Sequence, residues 1–379
     1  MKKYPILLPF FALLLLSCTL KKEPVSVSLS DRLDSLLVQE FGVGGPGGAV
    51  LIMKNDSTIF SRGYGMADLE TKELITPKTL FNLGSISKTF VANGILLLQQ
   101  NGKLSVEDNL IKYFPDFKNK KIGEKIKIKH LLTHTSGLPD NRQVGKDTVF
   151  YLSAKDAENW APELKVDSLE FEPGTNYHYS NPAYNGLALI IEKVSGQKWQ
   201  NFISENIFKP SGMNTSTITD GPHPTSGVAH CYEKIQNEWK QDDYGEEPTF
   251  AAAGNGGIWS SIEELALYEK AIRSSTFLND ASIADSQTPK NDFPVRDLSS
   301  LENQSWNIGW SWFISKTEDG LKLVGHAGTQ GGFYANYISI PEKKILFVLL
   351  SNFPADREKI STRVMAWLKE ENYFDSKKK

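Results

Sequence analysis

Read as apolar and polar positions, the chain has two strand-rich ends and a helix-rich middle. Leu33, Leu36, Leu37 and Phe41 form one apolar stripe at helical spacing, which predicts a helix over about 31–41 with Ser30 as its cap. The glycine-rich run 42–48 stops it. Segments 49–53 and 57–64 read as two strands joined at Asn55-Asp56, a hairpin signal. A helix then opens near Ser85. Its Ile86, Phe90, Val91, Ile95, Leu96, Leu97 and Leu98 cover more than one face, which predicts burial on most sides, and Asn101-Gly102 ends it.

The middle continues with a helix and loop over 104–117 and an apolar segment 126–132 that leads into Thr133-His134-Thr135-Ser136-Gly137-Leu138-Pro139. Segment 141–170 is polar and reads as a loop with helical turns. The turn Phe171-Glu172-Pro173-Gly174 delivers Tyr177-His178-Tyr179-Ser180-Asn181-Pro182, and apolar helices follow over 183–194 and 199–208. Segment 209–247 is rich in turn residues, and a small-residue run spans Ala251 to Gly257. Ser261 then caps a helix over about 263–273. Near the far end, Glu318-Asp319-Gly320 and Pro341-Glu342-Lys343 are turns between strands over 310–315, 321–324, 332–340 and 344–350. Ile360, Val364 and Trp367 mark a closing helix over 357–370. The simplest packing is a mixed α/β fold: the strands of both ends form one antiparallel sheet flanked by the terminal helices, and the middle forms a helical lobe. A site in such a fold lies in the groove between the two.

Composition adds few constraints. A chain of 379 residues with 40% hydrophobic and 23% charged positions suits a soluble globular body. A net charge of −3 and the lack of a long basic run with interleaved aromatics argue against a nucleic-acid partner. The N-terminus changes the picture more. Lys2 and Lys3 precede an apolar run over 6–16, too short for a comfortable membrane span. The run ends in Leu15-Leu16-Ser17-Cys18, which resembles a bacterial lipoprotein signal. That resemblance implies a signal peptide over 1–17, lipid on Cys18, a polar tether over 18–28, a main domain over 29–374 and a charged tail over 375–379. It also implies a place in the cell envelope, on the periplasmic or extracellular face of a membrane. An ordinary secretory signal cleaved nearby is the alternative. With Cys18 lipidated, Cys231 has no partner for a disulfide within the chain.

The candidate chemistry begins at Ser85 and Lys88, three residues apart at the opening of the buried helix. A serine hydroxyl needs a neighbour that takes or repels its proton, and a lysine one turn along, near a positive helix start, can do that. Alone, the same spacing also describes a helix cap followed by a surface lysine. His130 and His134 lie four apart. No glutamate sits between them in the metal-binding pattern and no third ligand is apparent, so a structural histidine is the favoured reading over a metal hydrolase.

Three stretches line up in order: Ser85-Ile86-Ser87-Lys88, Tyr179-Ser180-Asn181 and His326-Ala327-Gly328. Together they resemble the Ser-x-x-Lys, Tyr-x-Asn and Lys-Thr-Gly elements of the serine beta-lactamase and penicillin-binding-protein superfamily, in its class C and related esterase and D-peptidase branch. Leu132 to Pro139, Phe171 to Gly174 and Ala253-Gly254-Asn255-Gly256-Gly257 resemble the same branch. The resemblance covers about 33–352 and implies that superfamily's fold, a mixed sheet plus a helical lobe. It implies that Ser85 attacks the acyl carbon, Lys88 eases its deprotonation, and Tyr179, with a phenol pKa pulled down by nearby cations, carries the proton to the leaving group. Asn181 would orient Lys88 and the substrate amide. The backbone N–H groups of Ser85 and Thr329, beside Gly328, would form the oxyanion hole, and Asn141 would contact a substrate amide. No cofactor is required. The departure is His326 where many beta-lactamases have lysine. A histidine is a weaker and pH-dependent cation. It sits beside Tyr179 in the implied site, to bind substrate or tune the phenol, and it points to esters or D-amino-acid peptides rather than beta-lactams. The alternative function is a penicillin- or peptide-binding sensor that acylates slowly or not at all. The expected partners are a small-molecule or peptide substrate and, through the lipid, a membrane; the sequence sets no oligomeric state.

Overall fold

The computed structural model describes residues 28–142, 150, 153–218, 227–241, 253–295, 301 and 305–375. The signal over 1–17, Cys18, the tether up to residue 27, Ala251, Ala252 and tail residues 376–379 lie outside the described residues. Seven helices frame the site: α1 (Leu29–Phe41), α2 (Ser87–Gln100), α3 (Ile128–Leu132), α4 (Asp156–Trp160), α5 (Asn181–Ser195), α6 (Ile262–Arg273) and α7 (Arg357–Glu370). The main sheet has β1 (Gly48–Lys54), β2 (Ser57–Tyr64), β3 (Asn307–Ile308), β4 (Phe313–Lys316), β5 (Lys322–Gln330), β6 (Phe333–Ile340) and β7 (Ile345–Ser351). Its order is β2-β1-β7-β6-β5-β4-β3, antiparallel throughout, so both ends of the chain share one sheet.

The apolar runs of β1 and β7 follow from burial on both sheet faces. Ala49, Leu51, Met53, Leu346, Val348 and Leu350 pack toward the helical lobe. Val50, Ile52, Ile345, Phe347 and Leu349 pack against Leu33 and Leu37 of α1 and Ile360 and Val364 of α7. Asn55 and Asp56, at φ 50° and 63°, make the two-residue hairpin turn. In the lobe, α2 is buried from Ser87 to Leu98, and Phe90 stacks on Tyr268 of α6 with ring centroids 4.0 Å apart. The buried Glu269 of α6 accepts from the Ser339 hydroxyl of β6 at 2.6 Å, which ties the lobe to the sheet.

Three local expectations change. The cap of α1 is Ser28 rather than Ser30: its hydroxyl accepts from the Asp31 N–H at 3.2 Å. Segment 104–117 forms only a short 3-10 turn, Leu110–Lys112. There Asp108 and Ser105 bond nearby backbone N–H groups, and the chain pairs with a later segment through Leu110 N to Ile126 O at 2.8 Å. The strand expected over 321–324 runs on to Gln330, so His326, Gly328 and Thr329 all lie within β5.

Candidate active site

Ser85 sits in a 3-10 turn, Gly84–Ile86, and the α-helix proper starts at Ser87. The turn is fixed at both sides: Asn82 Oδ1 accepts from the Gly84 N–H at 2.8 Å, and the Ser87 hydroxyl accepts from the Ile258 N–H at 3.1 Å. β5 crosses this turn at backbone contact. A Cβ on Gly328 would stand 2.0 Å from the Leu83 carbonyl oxygen and 3.2 Å from the Ser85 nitrogen. A Cβ on Gly84, at φ 50°, would stand 2.6 Å from the Thr329 nitrogen. Only glycine fits at either position, and the close crossing brings the main-chain nitrogens of Ser85 and Thr329 together beside the Ser85 hydroxyl.

Lys88 lies on the first turn of α2 with no solvent exposure. Its Nζ is 2.9 Å from Ser85 Oγ and 2.7 Å from the Asn255 carbonyl oxygen. The rings of Tyr179 and Tyr184 lie over it, centroids 5.1 and 5.7 Å away. Burial, with the Arg142 guanidinium adding to it, holds its pKa well below the ordinary lysine value. A neutral amine can take the Ser85 proton while still donating to Asn255.

Tyr179 reaches Lys88 from the turn before α5, and Ser180 caps that helix by accepting from the Ala183 N–H at 3.2 Å. Its ring stacks on His134, centroids 4.3 Å apart and planes 28° apart. His134, at φ 56°, is fully buried. Its Nδ1 accepts from the Ser180 N–H at 3.0 Å and its carbonyl from the His178 N–H at 3.0 Å. His134 therefore clamps the tyrosine-bearing turn. His130, four residues earlier, accepts through Nδ1 from the Lys127 N–H at 3.1 Å and helps to open α3.

His326 is also fully buried, with its ring edge-on to Phe313 at 5.1 Å. Nδ1 donates to the Ala327 carbonyl at 2.6 Å, which leaves the lone pair on Nε2. That Nε2 is buried with no hydrogen-bond partner among the described residues. Burial, reinforced by Lys88, drives its pKa down to about 3. The expected pH-dependent cation is thus a neutral acceptor near neutrality, because a buried imidazolium has no solvent to stabilise it.

The remaining expected residues divide. Gly328 and Thr329 line the crossing with Ser85. Asn181 opens α5, and among the described residues no hydrogen bond joins its side chain to Lys88; the Asn255 carbonyl holds that lysine instead. Asn141 is exposed, next to the buried Arg142, whose guanidinium donates to Asp140 at 2.8 and 2.6 Å and to Asn159 at 2.8 Å. Two contributors escaped sequence reasoning. Asn255 acts through a backbone carbonyl, for which side-chain identity gives no signal. Arg357, the first residue of α7, donates to the Gly328 carbonyl at 2.5 Å and to Thr329 Oγ1 at 3.0 Å, and so braces β5 from behind.

An antiparallel sheet carrying a helical lobe, with a half-buried serine beside a buried lysine at their junction, defines the beta-lactamase/transpeptidase fold and the serine hydrolase class it serves. The chain belongs to the Beta-lactamase family, whose model matches residues 35–366. It is 29% identical over 326 residues to penicillin-binding protein 4* of Bacillus subtilis (strain 168), covering 82% of this chain and 69% of that protein. It is 27% identical over 336 residues to protein flp of Staphylococcus aureus (strain MW2), covering 86% of this chain and 63% of that protein. The chain therefore spans between 63% and 69% of the length of these two relatives. Among solved structures, the octameric penicillin-binding protein homologue from Pyrococcus abyssi matches with TM-score 0.79 and 27% identity, over 89% of this chain and 77% of that one. D-amino acid amidase from Ochrobactrum anthropi SV3 shares the fold with TM-score 0.74 at 21% identity, over 91% of this chain and 99% of that one.

Proposed function

We propose that the protein is a serine hydrolase that passes through an acyl-enzyme on Ser85 and acts on esters, amides or D-amino-acid peptides. The observation that carries this is Lys88 Nζ, fully buried and 2.9 Å from Ser85 Oγ. Neutral Lys88 takes the hydroxyl proton as Ser85 Oγ bonds to the acyl carbon. The oxyanion of the tetrahedral intermediate is met by the N–H groups of Ser85 and Thr329, each worth about 3–4 kcal/mol in comparable sites. Tyr179, over Lys88, passes the proton to the leaving group, and water then releases the acid by the same route reversed.

His326 supports substrates without a carboxylate, since a buried, uncharged imidazole offers nothing to one. A panel of short-chain p-nitrophenyl esters, D-amino-acid amides, D-Ala-D-Ala peptides and nitrocefin tests this. The expected result is turnover of an ester or a D-amino-acid amide, slower turnover of the carboxylate-bearing D-Ala-D-Ala peptides and nitrocefin, and loss of all of it in Ser85→Ala. Turnover that survives Ser85→Ala contradicts the reading. The neutral His326 also supports a second reading, a sensor of the same fold; it predicts one equivalent of leaving group in a burst and no steady turnover. The sequence Leu15-Leu16-Ser17-Cys18 supports lipid anchoring in the cell envelope. Cys18→Ser is then expected to leave the membrane fraction of cells, and a wild-type protein found only in the soluble fraction contradicts the anchor.

A further inference from the structure

Asp156 carries a buried carboxyl group that the proposed chemistry does not use. It opens α4, is 6% exposed, and among the described residues pairs with no cation. Three N–H donors converge on it instead. The Trp199 indole donates to Oδ2 at 2.7 Å. The Asn185 amide and the Gly254 backbone N–H each donate to Oδ1 at 2.8 Å. Two of those donors lead to Asn255. Gly254 is its chain neighbour, and the Asn185 amide nitrogen is also 3.2 Å from Asn255 Oδ1. The Asn255 carbonyl is in turn the acceptor for Lys88 at 2.7 Å. Gly254 has no room to shift toward α5, since a Cβ there would stand 2.7 Å from Ala188 Cβ and 2.8 Å from the Tyr184 carbonyl.

We propose that Asp156 is a positioning residue for Lys88: it anchors Gly254 and Asn185 so that the Asn255 carbonyl is fixed on the lysine, and its negative end polarises that chain of hydrogen bonds. The assignment rests on the reading of Ser85 as the nucleophile. A carboxylate suits the place because three donors and no acceptor face it. An asparagine there can accept on one oxygen only and turns an NH2 toward a donor. The charge also has a direction of effect. The groups that face Lys88 are Ser85, Tyr179, Tyr184, Arg142, His134 and His326, and none of them is an anion. Glu192 of α5 is the charged group facing Asp156 itself. Burial, with the Glu192 charge adding to it, pushes the Asp156 carboxyl up to about 7, so above that pH its carboxylate, two hydrogen bonds away, favours the lysine proton, and its loss makes Lys88 easier to deprotonate but worse placed.

The test compares wild type, Asp156→Asn and Asn185→Ala by two readouts. The first is the second-order rate of Ser85 acylation by a fluorophosphonate across pH. The second is the Lys88 Nζ titration, followed by NMR of protein labelled with 15N-lysine, which reads whether or not the protein turns anything over. Asp156→Asn is expected to acylate about 10- to 100-fold more slowly at the wild-type optimum. Its acid limb and its Lys88 titration are expected to move together to lower pH, changes that a general loosening of the fold does not produce. Asn185→Ala, which keeps the carboxylate and removes the bridge to Asn255, is expected to slow acylation with a smaller titration shift, and it serves alone where Asp156→Asn does not fold. An unmoved Lys88 titration in folded Asp156→Asn overturns the proposal, as does a wild-type acylation rate in either folded variant. Failure of the nucleophile reading is distinct: wild type then forms no Ser85 adduct, while the Lys88 titration still decides the Asp156–Lys88 coupling.

Discussion

Lys88 and His326 are both fully buried and near enough to interact, and burial acts on both in the same direction. Each loses charge, Lys88 well below its ordinary value and His326 down to about 3. His326 thus stays neutral, with its proton on Nδ1, between pH 5 and 8. His326→Gln, which keeps an acceptor and cannot titrate, is expected to leave the acid limb of the ester-hydrolysis profile where wild type has it, while changing the rate. A limb near pH 6.5 that vanishes in this variant contradicts the buried, neutral histidine. At this scale the sequence was most legible where the proposed chemistry rests on side chains: short motifs in fixed order picked out Ser85, Lys88 and Tyr179, and the fold brings them together. Charge state was not legible, since it depends on solvent exclusion built from distant residues such as Phe313 and Arg142. The roles of Asn255 and Arg357 were invisible for a related reason. One acts through its carbonyl, and the other meets β5 only because the sheet brings α7 behind it.

The nucleophile turn and β5 meet with no side chain between them. Gly328→Ala places a methyl group 2.0 Å from the Leu83 carbonyl oxygen, so strand and turn must separate. Overpacking of this kind costs about 1–3 kcal/mol. Separation also moves the Thr329 nitrogen away from Ser85, and losing one oxyanion donor slows acyl transfer by about 10²–10³. A folded variant whose acylation rate falls far more than its stability is the expected result, measured by urea unfolding and fluorophosphonate labelling side by side. A folded variant with the wild-type rate contradicts the proposed role for the crossing. Among elements, β1, β7 and α2 were legible because continuous apolar runs mean burial on both faces. Segment 104–117 misled because its apolar spacing fits a helix while Ser105 and Asp108 bind the local backbone and hold it out of one.

The whole molecule is a sheet covered on both faces, with the site where the lobe meets β5. Joining both chain ends in one sheet was legible from the placement of strands; how the lobe buries polar groups was not. Glu163, fully buried beside Asp140 and Arg142, shows the consequence. Burial, then the Asp140 charge, pushes its carboxyl up from 4.5 to about 8. The native state therefore holds a proton that the unfolded chain releases, so this group's contribution to stability falls as pH rises from about 4.5 to about 8 and is level above that. Relative to Glu163→Gln, wild type is expected to lose on the order of 3–5 kcal/mol across that window. Urea midpoints of the two proteins that stay parallel from pH 5 to 9 contradict the raised value. The central claim remains that this fold exists here to acylate one serine. The most direct measurement is intact-protein and peptide mass spectrometry after treatment with a fluorophosphonate and, separately, with a penicillin. One adduct on the peptide carrying Ser85, with at least the fluorophosphonate, and none in Ser85→Ala is the predicted result. An unmodified wild-type protein with both reagents, or an adduct that persists in Ser85→Ala, contradicts the account.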